Sequence, residues 1–179
     1  AELERVEDLS ESLANQLLEL SVSLRRQDLA QVATSFDEHG SFYATRFPSK
    51  ARPSSLAFKW IESHGWELDR EARPLRRDVF LASLEDFLAH FTSIEDVRFK
   101  VKAADFRYPG EESDGPQAEA LIYFSIVGRD QQERRTWVES KAHIDARLVG
   151  ERWLIHNYQP EYVTARHAEA ELFSEVALA

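Results

Sequence analysis

Six histidines are the side chains of this sequence best suited to moving protons or holding a metal: His39, His64, His90, His143, His156 and His167. Their spacings fit no H-E-x-x-H or comparable zinc pattern, so no metal site is expected. His143 shares a charged face with Glu139 and Asp145 and could meet His156 across a strand pair. A solvated or interface face accounts for that grouping better than zinc. His39 falls where a helix is expected to end and reads as a cap or dipole contact. Arg70, Arg73, Arg76 and Arg77 make a local basic patch, expected to pair with nearby carboxylates, with anion binding as the alternative. No G-x-S-x-G, P-loop or dinucleotide fingerprint is present, and no Ser or Thr has a recognisable base. The chain contains no cysteine, which excludes thiol catalysis, thiolate metal sites and disulfides. No catalytic residue and no cofactor is assigned on these grounds.

The four tryptophans are the costliest side chains to leave in water. Trp153 reads as core or pocket wall. Trp137 lies on a charged strand face and points to a sheet-to-sheet dimer through Trp137, Glu139, His143 and Arg147. Trp60 with Tyr43 is a candidate pair for a pocket mouth, against simple core packing.

These residues must be positioned by a sheet in the C-terminal half. Ala118–Val127, about Arg134 to Val149, and Trp153–Tyr158 (extending toward Val163) are runs of apolar, β-branched and aromatic residues. They are separated by turns at Gly128-Arg129-Asp130 and Gly150-Glu151. In the middle run Val138, Ser140, Ala142, Ile144, Ala146 and Leu148 share one face, and Trp137, Glu139, Lys141, His143, Asp145 and Arg147 share the other. A sheet with one apolar face needs a cover, and only earlier helices can supply it. Residues 1–26 carry Leu13, Leu17, Leu20 and Leu24 at helical spacing, with Leu9, Val6 and Leu3 before them. The N-terminal part is long enough to pack on a partner chain instead.

Asp28 reads as an N-cap for a second helix through Leu29, Val32, Ala33 and Phe36, ending near His39 and Gly40 with Gly40 at positive φ. Asp78–Phe91 is a third helix, with Phe80, Leu84, Phe87, Leu88 and Phe91 on one face. About Val97 to Tyr108 is a strand. Pro109–Gln117 is an exposed acidic loop, and Tyr162–Ala179 reads as helix or linker. Between Phe47 and Glu71, Pro48 and Pro53 break regular structure, and Leu56–Trp66 fits either a short helix or a hairpin. The result is an α+β domain: a curved antiparallel sheet of about four to six strands wrapped round about three helices. Residues 1–163 form the domain and residues 164–179 a helix or linker to a missing domain.

With 179 residues the chain fits one domain, and 43% hydrophobic with 30% charged residues is ordinary for a globular protein. A net charge of -10 argues against nucleic acid and anionic membrane surfaces as partners. No run approaches the roughly 20 apolar residues of a membrane span. There is no methionine, so the chain reads as a processed or excised piece of something longer.

Two segments carry a family resemblance. Asp28-Leu29-Ala30-Gln31-Val32-Ala33-Thr34-Ser35-Phe36 resembles the second helix, D-L-x-x-(L/V)-x-x-x-F, of the nuclear-transport-factor-2-like superfamily. That superfamily includes polyketide-cyclase-like and ketosteroid-isomerase-like domains. Gly150–Ile155 resembles its G-x-W-x-I approach to the last strand. The resemblance covers roughly Leu13 to Val163 and implies a cone with a pocket at its open end, and often pairing through the sheet. Many relatives carry histidines four and six residues after that tryptophan. Here those positions are Asn157 and Gln159, which with Tyr43 and Trp60 become the expected ligand-binding residues, while His156 should face the other way. Isomerase-type relatives use a pocket aspartate as base with an oxyanion donor. The sequence places no such pair; Asp105 and Tyr43 could be proposed, with nothing to fix their distance or facing. Leu172–Ala179 resembles the lead-in to extracellular proteins with FG-GAP repeats and an ASPIC/UnbV domain, which implies export.

The expected function is a non-catalytic domain that binds a small ligand or a partner and forms a homodimer. The alternative is an isomerase, dehydratase or cyclase with a pocket carboxylate as general base. A third reading, a purely structural dimerisation module, predicts no open pocket.

Overall fold

The computed structural model describes residues 2–52, 61–108 and 115–168. Its order is α1 (Glu2–Arg25), α2 (Leu29–Ala33), β1 (Phe36–Phe42), β2 (Lys50–Arg52), β3 (Ile61–Glu67), α3 (Arg77–Leu88), β4 (Phe91–Arg107), β5 (Gln117–Asp130), β6 (Arg135–Val149) and β7 (Arg152–Ala168). All seven strands form one curved sheet in the order β2-β3-β7-β6-β5-β4, with β1 adding to β7 in parallel. The remaining pairings are antiparallel.

The apolar face of β6 is buried as its period-two pattern requires, from Val138 through Ser140, Ala142 and Ile144 to Ala146. Helix α1 packs on the apolar side of the sheet, chiefly over β4, with Leu13, Leu17, Leu20 and Leu24 each at most 4% exposed. Leu3 and Val6 stay exposed. α1 ends without a glycine: Gln27 takes φ 54°, its N–H donates to Leu24 O, and Asp28 N–H reaches back to Ser23 O. Asp28 then caps α2, accepting the Gln31 N–H at 3.1 Å.

Several expectations are corrected here. α2 stops at Ala33 rather than near Gly40, because Phe36 turns into the core as the first residue of β1. Gly40 is therefore a strand residue and is not at positive φ. A Cβ there would collide with the Phe42 ring. His39 projects from β1 into solvent and caps nothing. The helix-end role falls to His90, whose Nδ1 lies 3.1 Å from Asp86 O and 3.3 Å from Phe87 O. α3 spans Arg77–Leu88, and Phe91 opens β4.

Gly128 does not mark a turn. It sits inside β5, where a Cβ would collide with the Ser93 carbonyl of β4. The β5–β6 turn lies at 131–134 and is organised by Asp130. Its Oδ1 accepts the Gln132 and Arg134 N–H groups at 3.0 and 2.9 Å. Gly150, at φ 62°, closes the β6–β7 turn as expected.

Part of the Pro-rich section is a β2–β3 hairpin arm, Lys50 opposite Gly65 and Arg52 opposite Ser63. Leu56, Phe58 and Trp60 lie outside the described residues. β7 continues to Ala168, past residue 163, because Tyr162–Ala168 pairs with both β3 and β6. The helix-or-linker reading therefore fails for residues 162–168. Residues 169–179, with the Leu172–Ala179 resemblance, lie outside the described residues. No described helix is long and apolar enough to cross a membrane.

Two substitutions test this account by urea denaturation. Leu17→Ala, in the centre of the cover, is expected to cost about 2–5 kcal/mol. Asp28→Ala is expected to cost about 1 kcal/mol through loss of the cap.

Candidate functional site

Trp153 anchors the narrow end of the concave face. It is 1% exposed, its ring lies against Phe106, and its Nε1–H donates to Ser12 Oγ at 3.1 Å. The interior beyond is lined by Leu17, Leu20, Leu24, Val32, Phe36, Phe80, Leu84 and six apolar side chains of β4 to β7. Thr45 and Tyr158 are the polar residues among this lining. Their hydroxyls are 2.8 Å apart. Burial pushes the Tyr158 phenol up to about 12, against weaker opposing hydrogen bonds from Thr45 and Ser140, so it stays protonated. The remaining cavity is about 40 Å³. Small-molecule sites usually offer about 300–1,000 Å³. Phe36, Phe42 and Phe80 fill much of this space, with centroids 5.0–5.5 Å apart.

A second polar group sits on the concave face where β5, β6, β7 and β3 come together. Thr136 Oγ1 and His167 Nδ1 are 2.8 Å apart, and Asp130 Oδ2 lies 3.6 Å from the same nitrogen. Arg134 donates to Asp130 Oδ2 at 2.9 Å and reaches Glu62 at 3.2 Å. His64 packs edge-on against His167, its buried Nδ1 without a hydrogen-bond partner. Phe47 closes over the group, stacked on His90. Burial, and then the charge of Arg134, lowers the His167 pKa, so the ring is neutral. Burial alone would raise the Asp130 carboxyl, but the hydrogen bonds from Arg134 and Gln132 outweigh it and hold it below the usual carboxylate range. Among the described residues no three His, Asp or Glu side chains gather closely enough to hold a metal ion.

No family model matches the chain, and no curated protein matches it. Solved structures do. A protein assigned as a scytalone dehydratase from Novosphingobium aromaticivorans superposes with a TM-score of 0.56 at 12% identity, covering 96% of this chain and 97% of that one. LinA superposes at 0.59 with 6% identity over 97% of both chains. ActVI-ORFA from Streptomyces coelicolor superposes at 0.52 with 17% identity, over 87% of this chain and 97% of that one. The fold is the nuclear-transport-factor-2-like cone.

Within this cone Tyr43, Asn157 and Gln159, the described members of the expected ligand-binding set, do not face the interior. β7 carries two bulges against β6. Asp145 pairs with Asn157 but Ala146 with Ile155, leaving His156 extra. Lys141 pairs with Tyr162 but Ala142 with Pro160, leaving Glu161 extra. Each bulge reverses the alternation. Trp153 and Ile155 point inward, then Tyr158 and Pro160, then Val163, Ala165 and His167. Asn157 and Gln159 are therefore on the convex side, Asn157 donating to Asp145 at 2.9 Å. Tyr43, which follows Phe42 of β1 alongside β7, lies outside with them. The inward hydroxyl is Tyr158, which sequence reasoning missed because unbroken alternation puts it on the wrong face. Asp105 is exposed on β4 and forms no pair with Tyr43. Trp60 lies outside the described residues.

Trp137, Glu139, His143 and Arg147 do share the convex face. Trp137 is 46% exposed, with the Arg166 guanidinium 5.4 Å from its ring centroid. Glu139 accepts from Arg166 at 2.7 Å, Arg147 lies 3.4 Å from Asp37, and His143 pairs with Glu161 at 2.7 Å rather than with His156. Hydrogen bonding from Lys141, and more weakly from His143, holds the Glu161 carboxyl below its usual range despite partial burial. Tyr123 and Tyr162 flank Lys141 on the same face, one on each neighbouring strand. Burial and the neighbouring Tyr123 raise the Tyr162 phenol.

The polar group gives a pH profile. The unfolded chain takes up a proton on His167 before the folded one does. Stability is then full above about pH 6.5 and falls as pH drops through the lowered folded pKa. Asp130 adds a second loss below about pH 3.8. Urea midpoints across pH 4–8 should show the first limb, and His167→Gln should flatten it.

Proposed function

We propose that this chain is a non-catalytic cone that works through its convex side, associating with a second copy of itself. The observation that carries the reading is the interior. The cavity beyond Trp153 is lined by no carboxylate or imidazole, its two lining hydroxyls bond to each other, and its free volume is about 40 Å³; the Asp130–His167 group lies apart from it, beside Phe47. Proton abstraction beside a carbonyl needs a positioned base within hydrogen-bond reach of a bound substrate. The convex face offers what the interior lacks. Tyr123 and Tyr162 flank Lys141, and the exposed Trp137 lies four residues along β6 on the same face, among Glu139, His143 and Arg147: aromatic and charged side chains of the kind found at interfaces.

A second reading is favoured by His167. A buried, neutral imidazole on the concave face, bonded to Thr136 and near Asp130, is a competent general base if the Phe47 side opens. The fold likeness to a protein assigned as a scytalone dehydratase is compatible with acid–base chemistry of this kind.

Two measurements separate these readings. Sedimentation velocity is expected to show a dimer that Trp137→Glu converts to monomer. A wild-type monomer would remove the association. Deuterium exchange at the α-carbon of 2-tetralone, followed by NMR, should proceed at the buffer rate with the chain present. An acceleration lost in His167→Gln would establish the second reading instead.

A further inference from the structure

A groove runs along the edge where β3 follows β1 beside β7, between the segment leaving β1 and the loop from Leu68 to Leu75, with β7 at Gln159–Glu161 on its convex side and Trp66 of β3, opposite the inward-facing Val163, on its other side. It consists of two adjoining depressions of about 770 and 510 Å³ that share Tyr43, Leu68, Asp69 and Ala72. Arg70 lines the first; Arg46, Arg73 and Trp66 line the second. Both depressions are of ligand size, unlike the interior.

The charges around it are unevenly satisfied. Arg52 pairs with Glu67 at 2.9 Å, Arg76 with Asp78 at 2.9 Å, and Arg77 with Glu38 at 3.8 Å. The expectation that the basic patch pairs with carboxylates thus holds for Arg76 and Arg77. Arg46, Arg70 and Arg73 are exposed and form no ion pair among the described residues. Of the three acids that line it, two are held in ion pairs. Glu67 is held by Arg52, Glu161 by Lys141 and His143, and Asp69 Oδ1 accepts the Glu71 N–H at 2.9 Å. A chain of net charge -10 thus keeps three guanidinium groups along these two depressions with no ion pair among the described residues, beside two half-buried aromatic rings and the Asp69 carboxylate.

We propose that this groove binds a small, flat organic anion of the aryl carboxylate class. Guanidinium groups present paired N–H donors that match a carboxylate. Tyr43 and Trp66 supply the apolar walls against which a planar body packs. The inference deepens the reading that the convex side is the working surface and rests on it. It also places Tyr43 and Gln159 in a ligand site, though on the opposite face of the sheet from the one their sequence positions suggest.

The test is calorimetric titration of the purified chain with 2-naphthoate, and with uncharged 2-naphthylmethanol as comparison. The oligomeric state of the same samples is read by sedimentation, so failure of the groove and failure of self-association are seen separately. Saturable naphthoate binding is expected, at least about ten-fold tighter than the alcohol, and weakened about ten-fold or more by Arg70→Ala and by Arg46→Ala/Arg73→Ala. Circular dichroism confirms that each variant is folded. The proposal is overturned by absent binding, by equal affinity for the alcohol, or by arginine variants that bind as the wild type does. It is overturned equally if Thr45→Val, inside the cone, abolishes binding while the arginine variants do not.

Discussion

A strand has two faces, and a single extra residue exchanges them. In this chain β7 pairs with β1, β3 and β6, so the facing of its side chains sets what the interior and the outer surface contain. Two bulges, at His156 and Glu161, each shift that facing by one residue. They bring Tyr158 inward and send Asn157 and Gln159 out. They also accommodate Pro160, which has no N–H to give a ladder and falls where β7 changes neighbours from β1 to β3.

The consequence is a sharp division between the two sides of the sheet. The concave side is closed by leucines of α1 and phenylalanines of β1 and α3, and an unpaired charge there would face a desolvation cost that nothing in the lining offsets. Its polar residues include the mutually bonded Thr45 and Tyr158, Ser140, which donates to the Tyr162 carbonyl at 2.7 Å, and the Asp130–Arg134–His167–Thr136 group near Phe47. The convex side carries exposed ion pairs worth little to stability individually, about 0–1 kcal/mol each. Those side chains remain on the surface with charge and aromatic area available for recognition.

Asp130 shows how one residue serves several levels at once. Its carboxylate shapes the β5–β6 turn through two backbone N–H groups. It holds Arg134, and through Arg134 reaches Glu62 on β3, and it stands beside His167 on β7. Separate strands are thereby fastened by a buried polar group that is consistent only when its members are all in place.

The sequence by itself determined the fold class, because periodicity is a local property. The leucine stripe of α1, the Asp28 cap, the alternation of β6 and the Gly150 turn are each decided by neighbours in the chain. The motifs around Asp28 and Trp153 already pointed to the cone. What depends on register was not legible. The continuation of β7 through Tyr162–Ala168, the closeness of Gly128 to Ser93, and the pairing of Lys50–Arg52 with β3 all rest on partners distant in sequence. The candidate site belongs to this second kind. Residue types named Tyr43 and Trp137 as residues of interest, and the family resemblance named Asn157 and Gln159. Only tertiary structure assigned them to a face, because a bulge forms where two strands must stay in step along a curved sheet, and a one-residue shift in pairing reverses every side chain beyond it.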